Sequence, residues 1–176
     1  EFRRVLFRSV VFARLYPQRV RALVLGGPSA GWGWLPKVER DRRLASRIKR
    51  ARTLGMKTMR EDDSKELVAP GASDEVRQWI RSAEGLRLEG YLQAAHMLAE
   101  VDVAREAASV TCPARVVAGE LDKRTPPDAN AKRIAAALPN ARLVMIEDCG
   151  HLPHLEHPAT FNAEVLGIAK ELGQPA

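Results

Sequence analysis

Two short apolar runs with one helical stretch between them constrain this chain most. Ala114-Arg-Val-Val-Ala-Gly119 and Ala141-Arg-Leu-Val-Met-Ile146 read as buried strands, and Asp128 to Leu138 has helical spacing and closes at Pro139-Asn140. A strand, a single helix and a second strand form a βαβ unit with parallel, adjacent strands. Sheets of this kind carry their chemistry just beyond the carboxyl ends of the strands. Asp122 stands at the first such end, in Gly119-Glu-Leu-Asp122, and His151 at the second, in Asp148-Cys-Gly-His151. Asp alone is common in turns, and a loop histidine alone says little. Together, on neighbouring strand ends, they predict a carboxylate beside an imidazole. Such a carboxylate fixes the ring's tautomer and stabilises its charged form, so that the other ring nitrogen can take a proton from a nucleophile.

These two phrases also carry a resemblance. Gly119-Glu-Leu-Asp122 with Thr125-Pro-Pro127, then Asp148-Cys-Gly-His151-Leu-Pro-His-Leu-Glu-His-Pro158 and Phe161, resemble the last two catalytic loops of an α/β-hydrolase. The wording is similar to the 3-oxoadipate enol-lactonase branch, and the similarity runs from about Val10 to Leu172. The resemblance implies a cofactor-free serine hydrolase acting on an ester or lactone, with Asp122 and His151 as the acid and base of its relay. In that relay a serine attacks the carbonyl, the histidine takes its proton and later activates water, and backbone amides hold the oxyanion.

Upstream of these loops the chain departs from the pattern. Glu1 to Ser9 fit nothing that follows and read as non-native sequence. Val10 to Tyr16 reads as the end of a helix stopped by Pro17, and Arg19 to Leu25 as a strand ended by Gly26-Gly27-Pro28. Tyr16-Pro-Gln-Arg-Val-Arg-Ala-Leu-Val-Leu25 resembles the family's link from the nucleophile helix into its sixth strand. The family's Gly-x-Ser-x-Gly would then fall near Arg3, where no serine stands. The expectation is a C-terminal piece of the fold, without its nucleophile elbow. A rival phrase, Gly27-Pro-Ser29-Ala-Gly31, has the right letters and the family's order of serine, acid and histidine. An elbow must turn straight into a helix, however, and Trp32-Gly-Trp-Leu-Pro36 is poor helix material. Ser29 is therefore the minor candidate.

Between the first strand and the acid strand, residues 29–105 read as a helical lid; residues 10–28 and 106–176 form the core on either side. Leu44, Ile48 and Ala51 share one face, Val76, Trp79 and Ile80 a second, and Leu88, Tyr91, Leu92, Ala95, Leu98 and Ala99 a third. Pro70-Gly71 and Gly85 punctuate them. The final helix runs from Pro158 to Leu172, with Phe161, Val165, Ile168 and Leu172 at core spacing. Arg40, Arg42, Arg43, Arg47, Lys49, Arg50 and Arg52 are opposed nearby only by Glu39 and Asp41. A basic lid attracts a carboxylate-bearing substrate; more often such a run is simply a solvated helix face.

Composition sets the outer limits. The 176 residues are 45% apolar and 5% aromatic, enough for one globular domain with a core. No apolar run is long enough to span a membrane. The formal charge of +6 comes with no nucleic-acid motif. Cys112 and Cys149 make no disulfide framework and fit a reducing, cytoplasmic compartment. His151, His154 and His157 lack the paired ligands of a tight metal site. The expectation is thus a partial α/β-hydrolase, with three C-terminal parallel strands and a helical lid. It acts on a small-molecule ester or lactone, with no metal or cofactor. Other hydrolases of the same fold, and a non-catalytic binding protein, are the alternatives.

Overall fold

The computed structural model describes residues 5–82 and 87–173. Residues 1–4 of the stretch read as non-native, and Gly85 of the lid punctuation, lie outside the described residues. The first helix, α1 (Val5–Leu15), passes through the expected boundary at Ser9 without a break. A 3₁₀ turn over Pro17–Arg19 follows, closed by the Val20 amide on the Pro17 carbonyl at 3.2 Å. That turn consumes the residues expected to open the strand, so β1 is shorter, Leu23–Gly26.

The two predicted strands form as β2 (Ala114–Gly119) and β3 (Ala141–Ile146), with α6 (Ala131–Ala137) between them. The three strands make one parallel sheet in the order β1-β2-β3, with Leu23 beside Ala114 and Ala114 beside Ala141. β2 is central and buried along its whole length. Its alternate side chains serve two layers. Val116 and Ala118 face a core built with Leu25, Val10 and Ala13 of α1, Val103 and Ala107 of α5 (Val103–Ala107), and Ile134 of α6. Val117 faces the other way and packs with Ile146, Cys149 and Phe161. That second face is covered by α7 (Pro153–Glu156) and α8 (Pro158–Glu171).

Arg115 interrupts the apolar run of β2 and is buried on the α8 side. Glu164 meets its Nε at 3.3 Å and Glu171 meets its Nη2. A buried guanidinium must be paired, and this pairing sets the roll of α8. Glu164 turns inward while Val165, expected in the core, is 37% exposed; Ile168 is buried as expected.

Between β1 and β2 lie α2 (Lys37–Glu66), α3 (Asp74–Ser82) and α4 (Leu88–Glu100). Of the stripe read on α2, Ala51 is buried and, with Met59, packs on Tyr91 of α4 with Leu88 and Leu92 alongside, while Leu44 and Ile48 stay only partly buried outside that cluster. On α3 the i, i+4 pair Val76 and Ile80 takes the inner face against Leu67 and Val68, which leaves Trp79, expected inside, 51% exposed. α2 is two helices joined at Gly55, whose φ of +72° and ψ of 165° only glycine adopts without strain. Among the described residues no helix is long and apolar enough to cross a membrane.

Candidate active site

The site is assembled by the loops that leave β2 and β3. Backbone bonds lace these loops together: Glu120 donates to the Ile146 carbonyl at 3.0 Å and Leu121 to the Cys149 carbonyl at 2.9 Å. They come so close that a Cβ on Gly119 would stand 2.2 Å from the carbonyl oxygens of both Cys149 and Gly150. Asp148 makes the reversal possible by taking φ +50°, a left-handed turn that Asp tolerates better than most residues.

Asp122 is thereby buried, its side chain 1% exposed, and all its bonding capacity is used. Oδ1 accepts the amides of Arg124 at 2.8 Å and Thr125 at 2.9 Å; Oδ2 accepts the Thr125 hydroxyl at 2.7 Å and meets His151 Nδ1 at 2.9 Å. Burial alone would raise the carboxyl's pKa and is the largest single influence. The hydrogen bond and charge of His151, with the donors of Thr125, outweigh it and hold the carboxyl below the usual carboxylate range. An ionised acceptor on Oδ2 makes Nδ1 the protonated ring nitrogen, so Nε2 keeps its lone pair. The structure thus brings Asp122 and His151 together, as the sequence predicted.

Two further residues hold this pair and were not singled out from the sequence. Thr125 sits between the partners, its hydroxyl 3.0 Å from His151 Nδ1 as well as bonded to Asp122. The Thr-Pro-Pro phrase was its only signal. Glu156 fastens the histidine loop from below. Its Oε2 accepts the amides of Gly150 at 2.9 Å and Ala69 at 2.7 Å, and its Oε1 accepts the amide of Leu152 at 3.0 Å. The His151 amide itself donates to the Leu67 carbonyl at 2.7 Å. The imidazole is therefore positioned from three directions: acid loop, α7, and the chain leaving α2.

The remaining candidates stand apart from this relay. Ser29 lies in an irregular loop, its Oγ accepting the Gly31 amide at 3.3 Å, and the next helix does not begin until Lys37. No hydrogen bond joins Ser29 to His151 among the described residues. The Ser29 loop is still close by, since Gly27 abuts the His151 carbonyl. Cys149 is fully buried, and burial, with Glu156 and Asp122 adding, pushes its thiol up to about 12. His154 packs edge-on against Phe161, and His157 Nε2 lies 3.3 Å from the Asp148 carbonyl. Among the described residues no group of three or more His, Cys, Asp or Glu side chains is placed to hold a metal.

Residues 6–164 match the alpha/beta hydrolase family. No curated protein matches the chain. Among solved structures, a thermophilic esterase from Thermogutta terrifontis is 28% identical with a TM-score of 0.69, over 93% of this chain and 61% of that one. An enol-lactonase from Burkholderia xenovorans LB400 is 23% identical with a TM-score of 0.74, over 92% and 60%. A bromoperoxidase from Bacillus anthracis is 17% identical with a TM-score of 0.78, over 92% and 63%. The last two likenesses speak to the fold alone. The chain spans about three fifths of each of these structures. With the match running across most of its length, through both the acid and the histidine loops, this chain belongs to the alpha/beta hydrolase family.

Proposed function

We propose that the protein is a serine hydrolase of carboxylic esters or lactones in which Asp122 and His151 are the acid and base. The observation that carries this reading is the 2.9 Å bond from His151 Nδ1 to the buried, ionised Asp122. His151 Nε2 takes the proton of the serine as its oxygen attacks the carbonyl, and returns it to the leaving alcohol. It then takes a proton from water to release the acid. Asp122 stays ionised throughout and stabilises the imidazolium that forms twice per turnover. The serine is supplied by sequence this chain does not carry, since Ser29 lacks the helix an elbow requires. Residues 29–105 act as the lid over the reacting centre. Both cysteines are free thiols, which suits a reducing compartment such as the cytoplasm.

The test is to express the gene product together with the residues that precede Val10 in its own gene. That protein is expected to hydrolyse p-nitrophenyl esters and to take a fluorophosphonate on a serine, and His151→Ala should abolish both. Hydrolysis that survives His151→Ala sinks the reading. Labelling of the 176-residue chain that Ser29→Ala abolishes would move the nucleophile to Ser29.

A further inference from the structure

An open pocket of about 330 Å³, between the helical segment and the loops that carry Trp32 and Arg124, has a wall unusual in its charge. Arg42, Arg43, Arg47, Arg50 and Arg124 all line it, and no carboxylate does. Five guanidinium groups around one space repel each other unless they are neutralised from outside. Four of them are. Arg42 and Arg43 share Glu39, at 2.9 and 2.6 Å. Arg50 pairs with Asp62 at 2.7 Å, Arg124 pairs with Asp63, and Glu66 lies 3.8 Å from both. Arg42 and Arg43 thus have one carboxylate between them, while Arg50 and Arg124 have three.

Arg47 is the fifth. It has no carboxylate partner among the described residues. Its Nε donates to the Tyr91 hydroxyl at 2.8 Å, and its guanidinium carbon lies 5.6 Å from the Trp32 ring centre and 5.5 Å from that of Tyr91. Two ring faces hold the cation in place without supplying a full negative charge. Its terminal N–H groups stay available as the planar fork that suits a carboxylate.

The cavity is joined to the acid–histidine pair through the chain. Arg124, which lines it, gives its amide to Asp122 Oδ1. The stretch of α2 bearing Asp62, Asp63 and Glu66 runs directly into Leu67, whose carbonyl holds the His151 amide. We propose that this cavity is an anion site that takes a single carboxylate of the substrate on Arg47, with the apolar part of the ligand against Trp32 and Tyr91. The word substrate rests on the hydrolase reading above; the binding itself does not. The end-on edge of a single guanidinium, its Nε already given to Tyr91, matches one planar carboxylate.

Calorimetric titration of the 176-residue chain tests the site, with hexanoate, its neutral isostere hexanamide, and inorganic phosphate as probes. Hexanoate is expected to bind saturably and hexanamide not. Arg47→Gln should weaken hexanoate about tenfold or more, the loss of one charge-assisted bond. Arg47→Lys, which keeps the charge without the fork, should fall between. A matching thermal melt shows that a variant is folded. If Arg47→Gln unfolds, added salt decides on the parent chain, since it must weaken hexanoate. Equal binding of hexanoate and hexanamide, an unchanged Arg47→Gln, salt-insensitive hexanoate binding, or phosphate binding tighter than hexanoate each overturns the proposal. His151→Ala should leave hexanoate affinity unchanged. A failure of hydrolysis would therefore sink the relay, while this titration alone decides the anion site.

Discussion

The carboxylate of Glu156 accepts the amide of Ala69 at 2.7 Å while it also accepts the amides of Gly150 and Leu152. One side chain from α7 thus ties the chain leaving α2 to both sides of His151. All three partners are donors, so the group that holds them must be acceptor-only, as an ionised carboxylate is. Glu156→Gln replaces one oxygen with an amide nitrogen that then faces an N–H. We expect a loss of about 2–3 kcal/mol in urea unfolding, the cost of one charge-assisted bond left unmade. A loss within experimental error would mean that the histidine loop does not depend on this tie.

The lowered pKa of Asp122 makes stability depend on pH in one direction. Its folded-state carboxyl lies below the ordinary value of 3.8, where burial is overcome by His151 and Thr125. The contribution is fully present above the unfolded-state pKa and is lost as pH falls through the folded one. Asp122→Asn should therefore be less stable than the parent at neutral pH, by about 1.5–3 kcal/mol for a lost charged acceptor. The two chains should converge as the pH drops below about 4. Urea midpoints across pH 2–7 check this; a constant gap down to pH 2 would contradict it.

The βαβ unit was legible because both its strands are bounded by turn residues and its helix is short, so only one topology fits. The topology put Asp122 and His151 just beyond neighbouring strand ends, but Glu120, Glu147, Asp148 and Cys149 lie there too, and it was the Gly-Glu-Leu-Asp and Asp-Cys-Gly-His phrases that singled out the pair. Glu156 was not legible. Its three partners are backbone amides, which leave no mark in a sequence, and one of them, Ala69, stands 87 positions away. Arg115 shows the same limit from the other side. A cation inside an apolar strand signals a buried partner, but not that Glu164 would displace Val165 from the inner face of α8. The kink at Gly55 was hidden because a single glycine within a charged helical run is usually tolerated as helix.

Two glycines separate crowding from dihedral strain. A methyl on Gly119 would meet the carbonyl oxygens of Cys149 and Gly150 at 2.2 Å, and both are backbone atoms that cannot swing aside. Gly119→Ala should cost about 3 kcal/mol or more, or prevent folding, because the acid and histidine loops must separate. A methyl on Gly55 meets nothing within 4 Å, so Gly55→Ala carries only the cost of its φ of +72°, about 1–3 kcal/mol. Thermal melts of the two variants should keep that order. The reverse order would show that the loops beneath His151 yield more easily than the joint in α2.

Cys149 gives a chemical readout of how tightly that loop is closed. Its side chain is fully buried beside Val117 and Ile146, and burial, with Glu156 and Asp122 adding, pushes the thiol up to about 12. At pH 8 only about one in 10⁴ such groups is thiolate, the form that alkylating reagents attack. In the native chain iodoacetamide should leave Cys149 unmodified over hours, and in denaturant it should modify it fully. Cys112 is only half-buried, though burial raises its thiol too, and serves as the internal comparison. Glu156→Gln removes a nearby negative charge, which by itself favours the thiolate, and loosens the loop, which admits the reagent. Both effects speed alkylation of Cys149, and mass spectrometry of the two thiols distinguishes a local opening, which exposes Cys149 alone, from general unfolding, which exposes both. Rapid modification of Cys149 in the parent chain would show instead that the turn at Asp148–Gly150 opens on its own, and with it the seat of His151.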